Sequence, residues 1–389
     1  MKGSTFLTQL EGEYQNTLDI KGFSQMMKDP SYCYKFYWLE ALVQLILEGK
    51  AEATFDEIID EMIANAWYSV NEFHIHLSGM VLGEPRDGLE RSITRLRDIS
   101  DLPANASKAE IKAALWEHND GVKTEKTQLT KMVPYRALAG FFPPDKVEPK
   151  NWNSEKWMAF YIGAFHQNIV KLPYTLGLES GLNRKVHFDP EWSHFVQDNS
   201  VAILGWIQYE KVKWLQNNNP EVPGLVYKLT PLNEKARKLD HVRGLWNGIF
   251  EVSPVLDVFT GKLLEKGKYD VDHFIPWSFV MNDELWNLMP MNSSLNSSKS
   301  DKLPEWDPFF QRFADNQYLM YNLVYKLEGI HILFEKCTRD NLHSIWANQE
   351  LYLPGNSREV FTEILNKNMR PVYDSARRQG YSIWLANVS

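Results

Sequence analysis

Asp270-Val-Asp-His-Phe-Ile-Pro-Trp-Ser278, then Trp286-Asn-Leu288, then Asn296-Ser-Ser-Lys-Ser-Asp-Lys-Leu-Pro304 is the stretch on which the reading of this chain turns. A carboxylate, Asp272, stands beside an imidazole, His273. Asn287 follows the histidine by fourteen residues, Asn296 comes nine later, and Lys299 three beyond that. Local patterning predicts a strand from Lys268 to Ile275 that delivers Asp272 and His273 near its end, a loop over Pro276 to Leu285, and a second strand from Asn287 to Met291. Asn292 or Ser293 is suited to cap a short helix after it, because a side-chain oxygen there satisfies the free amides of the first turn. Asn296 and Lys299 then lie at i and i+3 and share one face of that helix.

These residue types suit hydrolysis of a phosphodiester with one divalent metal. The reaction needs a nucleophile, neutralisation of charge at phosphorus and help for the departing oxygen. A hard cation such as Mg²⁺ takes oxygen ligands and keeps several waters. One carboxylate and one amide oxygen meet that preference, so Asp272 is expected as the first ligand and Asn296 as the second. His273 is expected as the general base that takes a proton from the attacking water, since an imidazole with a reference pKa of about 6.5 suits that task at neutral pH. Lys299, on the Asn296 face, would stabilise the negative charge growing on the phosphate. Asp270 is either an auxiliary carboxylate or a product of ordinary strand alternation.

Together with the flanks Ile275-Pro-Trp-Ser278 and Lys299-Ser-Asp-Lys-Leu-Pro304, this set resembles the catalytic core of the HNH (ββα-metal) endonucleases. Among them it is similar to the HNH domain of RNA-guided CRISPR effector nucleases. The resemblance covers about Asp257 to Pro304. It implies a strand–strand–helix core and a divalent metal, Mg²⁺ with Mn²⁺ or another ion as substitute. It also implies a bracing role for Asn287, which in the family hydrogen-bonds backbone near the base and here would hold His273 in position. Many members carry Cys-x-x-Cys knuckles that bind structural zinc. The corresponding positions hold none here, so no structural zinc is expected, and Val255 to Leu264 with the helical flanks would brace the site by packing.

The rest of the chain sets bounds. Its 389 residues suggest two or three domains, and 44% hydrophobic content with fourteen tryptophans argues for packed cores over disorder. Cys33 and Cys337 stand far apart, which argues against a disulfide framework. No apolar run is long enough to cross a bilayer and the first residues lack a signal-peptide pattern, so no membrane partner and a cytoplasmic location are expected. A net charge of −8 counts against a tight, non-specific DNA binder, yet leaves room for a nuclease with a local basic face or one brought to DNA by a partner.

The fold class expected is α+β, mostly helical, with the ββα core flanked by helical regions: residues 1–200, a nuclease domain over 201–305, and 306–389. Residues 1–30 read as a weakly structured lead-in. Tyr34 to Leu47 reads as a largely buried helix ended by Gly49, and Thr54-Phe-Asp-Glu57 and Ser107-Lys-Ala-Glu110 are capping boxes. Further helices are expected over Leu89–Ile99, Trp152–Leu172, Val201–Leu215, Trp306–Cys337 (one or two), Asp340–Gln349 and Arg358–Gln379. Pro134, Pro143, Pro144 and Pro149 mark a turn-rich connection, and Pro254–Leu264 a hairpin about Thr260-Gly261.

Other polar groups have plainer readings. Asp240-His241 lacks the companions of the central pair and reads as helix surface. His74 and His76 have no acidic companion close in sequence. Arg91, Arg95 and Arg97 read as a solvated face, whereas Lys211, Lys213, Lys228, Lys235, Arg237, Lys238 and Arg243 lead into the core and are candidates for DNA contact. The function expected is metal-dependent cleavage of DNA, one strand per centre, with a second copy or a partner protein as further associates. Self-standing HNH proteins of this size resemble bacterial phage-defence or restriction components. The alternative is a scaffold or nucleic-acid-binding subunit with a weak or inactive site.

Overall fold

The computed structural model describes residues 14–386 except 15, 28–29, 31, 82–83, 86, 143–152, 167–170 and 230–236. Pro143, Pro144, Pro149, Trp152, Lys235 and most of the lead-in therefore lie outside the described residues. The fold is α+β and mostly helical, with one three-stranded sheet and three two-stranded ones among the described residues. It divides into two compact units: Met1–Pro220 with Lys228–Pro231, and Glu221–Tyr227 with Leu232–Ser389.

In the first unit the helix Tyr34–Leu47 is the centre. It is apolar nearly all round, so it buries Phe36, Tyr37, Trp38, Leu39, Leu42, Val43, Leu45 and Ile46. It packs against Phe55–Asn71 and Ser200–Asn218. Gly49, at φ 83°, takes the left-handed turn that ends it. Both capping boxes form: Thr54 with Glu57 and Ser107 with Glu110 close reciprocal bonds at their helix starts, each contributing about 1 kcal/mol. The three-stranded sheet runs Glu52–Thr54, Lys185–Phe188, Tyr174–Leu176, all antiparallel. The Tyr174 hydroxyl donates to the Pro134 carbonyl and Arg184 donates to the Tyr135 hydroxyl, which accounts for the turn at Pro134-Tyr-Arg136.

The helix Ser200–Asn218, which the sequence reading joined to the nuclease domain, packs in this first unit. It buries Ile203, Trp206, Ile207 and Leu215 on the same face as Lys211, whose ammonium meets Glu40 on Tyr34–Leu47 at 2.8 Å.

The second unit sets its helices about two short strand pairs. Trp306–Lys326 and Glu328–Asn341 are separate helices, broken at the extended residue Leu327. The helix expected near Asp340–Gln349 does not form as such: Asp340 lies in the last turn of the preceding helix, which ends at Asn341, and a single π-turn spans Ala347–Leu351. Asp240–Val252 packs on Glu328–Asn341, and Arg358–Arg378 packs on Trp306–Lys326. The segment Ile383–Trp384 pairs in parallel with Leu303–Pro304, just past the core helix.

Candidate active site

The sequence builds this site from three local pieces. Asp270–His273 pairs antiparallel with Leu288–Met291, with Asp272 opposite Met289 and His273 opposite Leu288. The helix Ser293–Lys299 follows, capped by Asn292, whose Oδ1 accepts from the amides of Ser294 and Leu295. Strand alternation puts Asp270 and Asp272 on one face, toward that helix. Helical spacing puts Asn296 and Lys299 on the face that meets them.

The contacts across this seam are specific. Lys299 Nζ donates to Asp272 Oδ2 at 2.9 Å, and Lys299 is fully buried. Asn296 Nδ2 donates to Asp270 Oδ2 at 3.2 Å. The structure thus brings Asp272 to Lys299, and Asn296 to Asp270. The other Asp272 oxygen, Oδ1, lies 4.0 Å from His273 Nδ1.

His273 is buried at the end of its strand. Its Nε2 lies 3.1 Å from the Asn282 carbonyl and 3.1 Å from Asp283 Oδ1. Both are acceptors, so Nε2 carries the proton and the neutral ring has its lone pair at Nδ1. Nδ1 is buried and has no hydrogen-bond partner. Burial works to raise the Asp283 carboxyl, but the hydrogen bond from His273, the Arg237 charge and a backbone hydrogen bond from Lys238 outweigh it and hold it below the usual carboxylate value. Met281, in the left-handed region at φ 56°, ends the turn Trp277–Val280 just before Asn282 and Asp283. Asn341 Nδ2 donates to the Asp283 carbonyl and pins the segment from the other side.

Asn287 is fully buried. Its Oδ1 accepts from the Ile275 amide and its Nδ2 donates to the Ile275 carbonyl, both at 2.8 Å. These bonds clamp the chain two residues past the imidazole. Aromatic packing supplies the floor: Phe274 lies against Phe313 at 4.6 Å between ring centroids and edge-on to Trp306. Gln317 donates to the Leu288 carbonyl at 2.6 Å, and the Trp384 indole donates to Ser298 on the core helix.

Three contributors were missed by sequence reasoning. Asp257 Oδ1 closes the hairpin by accepting from Phe259 and Thr260, while its Oδ2 accepts from the Asn292 amide and so ties the hairpin to the helix cap. The Asp-x-x-Thr-Gly turn pattern at 257–261 was the available signal. Asn282 and Asp283 carried none, because their approach to the imidazole depends on the turn at Met281.

The plainer candidates have settled places. Arg91 and Arg95 donate to the carbonyls of Pro85 and Gly121, and Arg97 pairs with Asp98. His76 meets Glu90, fourteen residues on, at 2.8 Å. His241 faces Asp340 on the surface. The basic stretch is not one face: Lys211 and Lys228 are buried in the first unit and offer no charge to a nucleic acid. In the second unit Arg237 lies over the Trp277 ring, Lys238 pairs with Asp340, and Arg243 donates to the Tyr269 carbonyl.

Residues 257–305 match the family model for HNH endonuclease. The match supports the HNH resemblance and, with it, nuclease action on nucleic acid. None of the curated proteins and none of the solved structures compared matches the chain. Among the described residues, no helix is long and apolar enough to cross a membrane.

Proposed function

We propose that this protein is a metal-dependent endonuclease that hydrolyses DNA phosphodiester bonds at the site built on Asp270–His273 and Ser293–Lys299. The observation that carries the reading is the buried, unpartnered Nδ1 of His273, 4.0 Å from Asp272, on a ring whose other nitrogen is tied down. A buried imidazole nitrogen without a partner is costly for a merely structural residue. It is what a base awaiting a water requires.

The residues present fit a hard divalent ion. Among the described residues no group of three His, Cys, Asp or Glu is placed to hold a metal; the donors proposed are one carboxylate and one amide oxygen, hard ligands of the kind Mg²⁺ takes together with water. The Lys299 ammonium against Asp272 is a stand-in cation, a sign that this carboxylate is held where positive charge is favourable. Asp272 and the Asn296 amide oxygen would hold Mg²⁺, with Mn²⁺ as substitute. When bound, the ion would neutralise the scissile phosphate and polarise it toward attack.

The chain does the rest. His273 takes the proton of the attacking water at Nδ1 while Asn282 and Asp283 hold Nε2–H and the ring. Asn287 keeps the backbone beside the ring from shifting. Lys299 supplies the positive charge that offsets what builds on the phosphate. One such centre cuts one strand, so nicked circles precede linear DNA unless two copies act together.

The test is a supercoiled-plasmid assay with Mg²⁺, Mn²⁺ or EDTA. His273→Ala should abolish nicking while the fold and Mn²⁺ binding persist; unchanged nicking refutes the base. Absence of metal-dependent nicking by the wild type, with and without partners, favours the scaffold alternative. The setting we propose is bacterial phage defence or restriction, for which plaque counts on cells expressing wild type or His273→Ala are the measurement.

A further inference from the structure

The two carboxylates on the core strand are used differently. Asp272 meets an ammonium, whereas Asp270 meets the neutral amide of Asn296. An ionised carboxylate accepts and cannot donate, so the NH₂ end of Asn296 must be the end that faces Asp270. The amide is planar, and its oxygen is therefore turned away from Asp270. We propose that Asp270 is a positioning residue for the metal: it selects the orientation of the Asn296 amide in which Oδ1, and not Nδ2, is presented as a donor. The proposal rests on the metal-dependent reading above.

The competing account is that Asp270 is a surface carboxylate docking a helix onto a strand. That account leaves the orientation of Asn296 without consequence. Two features favour positioning. Asn296 sits one helical turn before Lys299, whose ammonium occupies Asp272, so both contacts fall on one seam. The unpartnered Nδ1 of His273 lies beside the same Asp272 carboxylate. Among the described residues Asp270 is the acceptor that distinguishes the two ends of the Asn296 amide; without it the NH₂ group would compete for the place of the oxygen. Partners that orient a metal ligand in this way typically contribute about 10- to 100-fold in affinity.

The experiment is Mn²⁺ binding to the full chain, read by calorimetry and by the electron paramagnetic resonance of free Mn²⁺, without substrate. Asp270→Ala should weaken binding by about 10- to 100-fold. Asp270→Asn retains an oxygen that accepts from Asn296 and should restore affinity to near the wild-type value. Thermal melting in EDTA checks the fold, and Asp270→Ser, whose hydroxyl is too short to reach Asn296, replaces the alanine variant if that one does not fold. If Asp270→Ala binds as tightly as wild type, the positioning role is overturned while the metal site stands. Should Asp270→Asn fall as far as Asp270→Ala, the charge matters and the acceptor does not, and the positioning role is overturned in favour of direct ligation. A wild type that binds no Mn²⁺, or an Asp272→Ala variant that binds as well as wild type, overturns the metal reading and this inference together.

Discussion

Two buried lysines, Lys211 in the first unit and Lys299 in the second, each meet a carboxylate, and the two pairs look alike until the partners of each carboxylate are compared. In the first unit Lys211 donates to Glu40 Oε2 at 2.8 Å, Gln208 donates to Oε1 at 2.7 Å, and the ammonium lies over the Tyr37 ring. In the second, Lys299 donates to Asp272 Oδ2 at 2.9 Å, but Oδ1 stops 4.0 Å short of an imidazole nitrogen that has no partner. The first pair is closed and the second is open. A buried ion pair is weak evidence of function. A buried imidazole nitrogen without a partner is stronger, because native interiors pair most of their buried polar groups.

The largest effect expected is on catalysis. His273→Ala should lower the nicking rate by about 10²- to 10⁴-fold, whereas Glu40→Ala should leave the rate of the folded fraction unchanged. Equal losses in the two variants would erase the distinction between an open and a closed pair.

Stability sharpens it next. Glu40→Ala strands the buried Lys211 and should cost about 3–5 kcal/mol, measured by urea unfolding. Lys299→Met strands Asp272 in the same way and should cost a similar amount in EDTA. Mg²⁺ should restore the Lys299→Met variant, since a divalent ion can take the place the ammonium left. It should do nothing for Glu40→Ala. Restoration of both, or of neither, breaks the comparison.

A smaller effect concerns Lys228, which burial in the first unit holds down to about 7. Its unfolded value is about 10.4. Between those values the unfolded chain binds more protons than the native one, so stability rises with pH from about 7 to about 10.4. Below the folded value the native state must bury a charged ammonium, and this contribution is unfavourable. Lys228→Met should flatten the rise in urea midpoint between pH 7 and 9, and an unchanged slope would show that another group causes it.

The smallest change expected is at Ser300, where the core helix ends at φ 49°, ψ −129°. A side chain is strained there and glycine is not. Ser300→Gly should stabilise by about 1 kcal/mol in urea unfolding, without altering nicking.

Much of this was legible in the chain. Tyr34–Leu47 was readable because a helix apolar on every side has one place to go. Thr54 and Ser107 were readable because a capping box is settled within four consecutive residues. The strand–strand–helix order followed from spacing within some thirty residues. Ser200–Asn218 was harder: its apolar face needs a partner, and nothing within it says whether that partner precedes or follows. The basic stretch misled for a related reason, since a lysine's type states its charge but not its exposure, and Lys211 and Lys228 turned inward.

The sequence by itself determined the local parts: which residues form the core strands and helix, where the helix is capped, and which side chains share a face. Those depend on interactions over a few residues, which backbone geometry and side-chain spacing settle. Tertiary structure alone decided the pairings, Lys299 with Asp272, Asn296 with Asp270, and Asp283 beneath His273. Each joins groups across a loop or between a strand and a helix, and depends on how the Phe274 cluster and the Met281 turn set those pieces against one another. Spacing can bring candidates to the same seam, but only packing chooses which atoms meet.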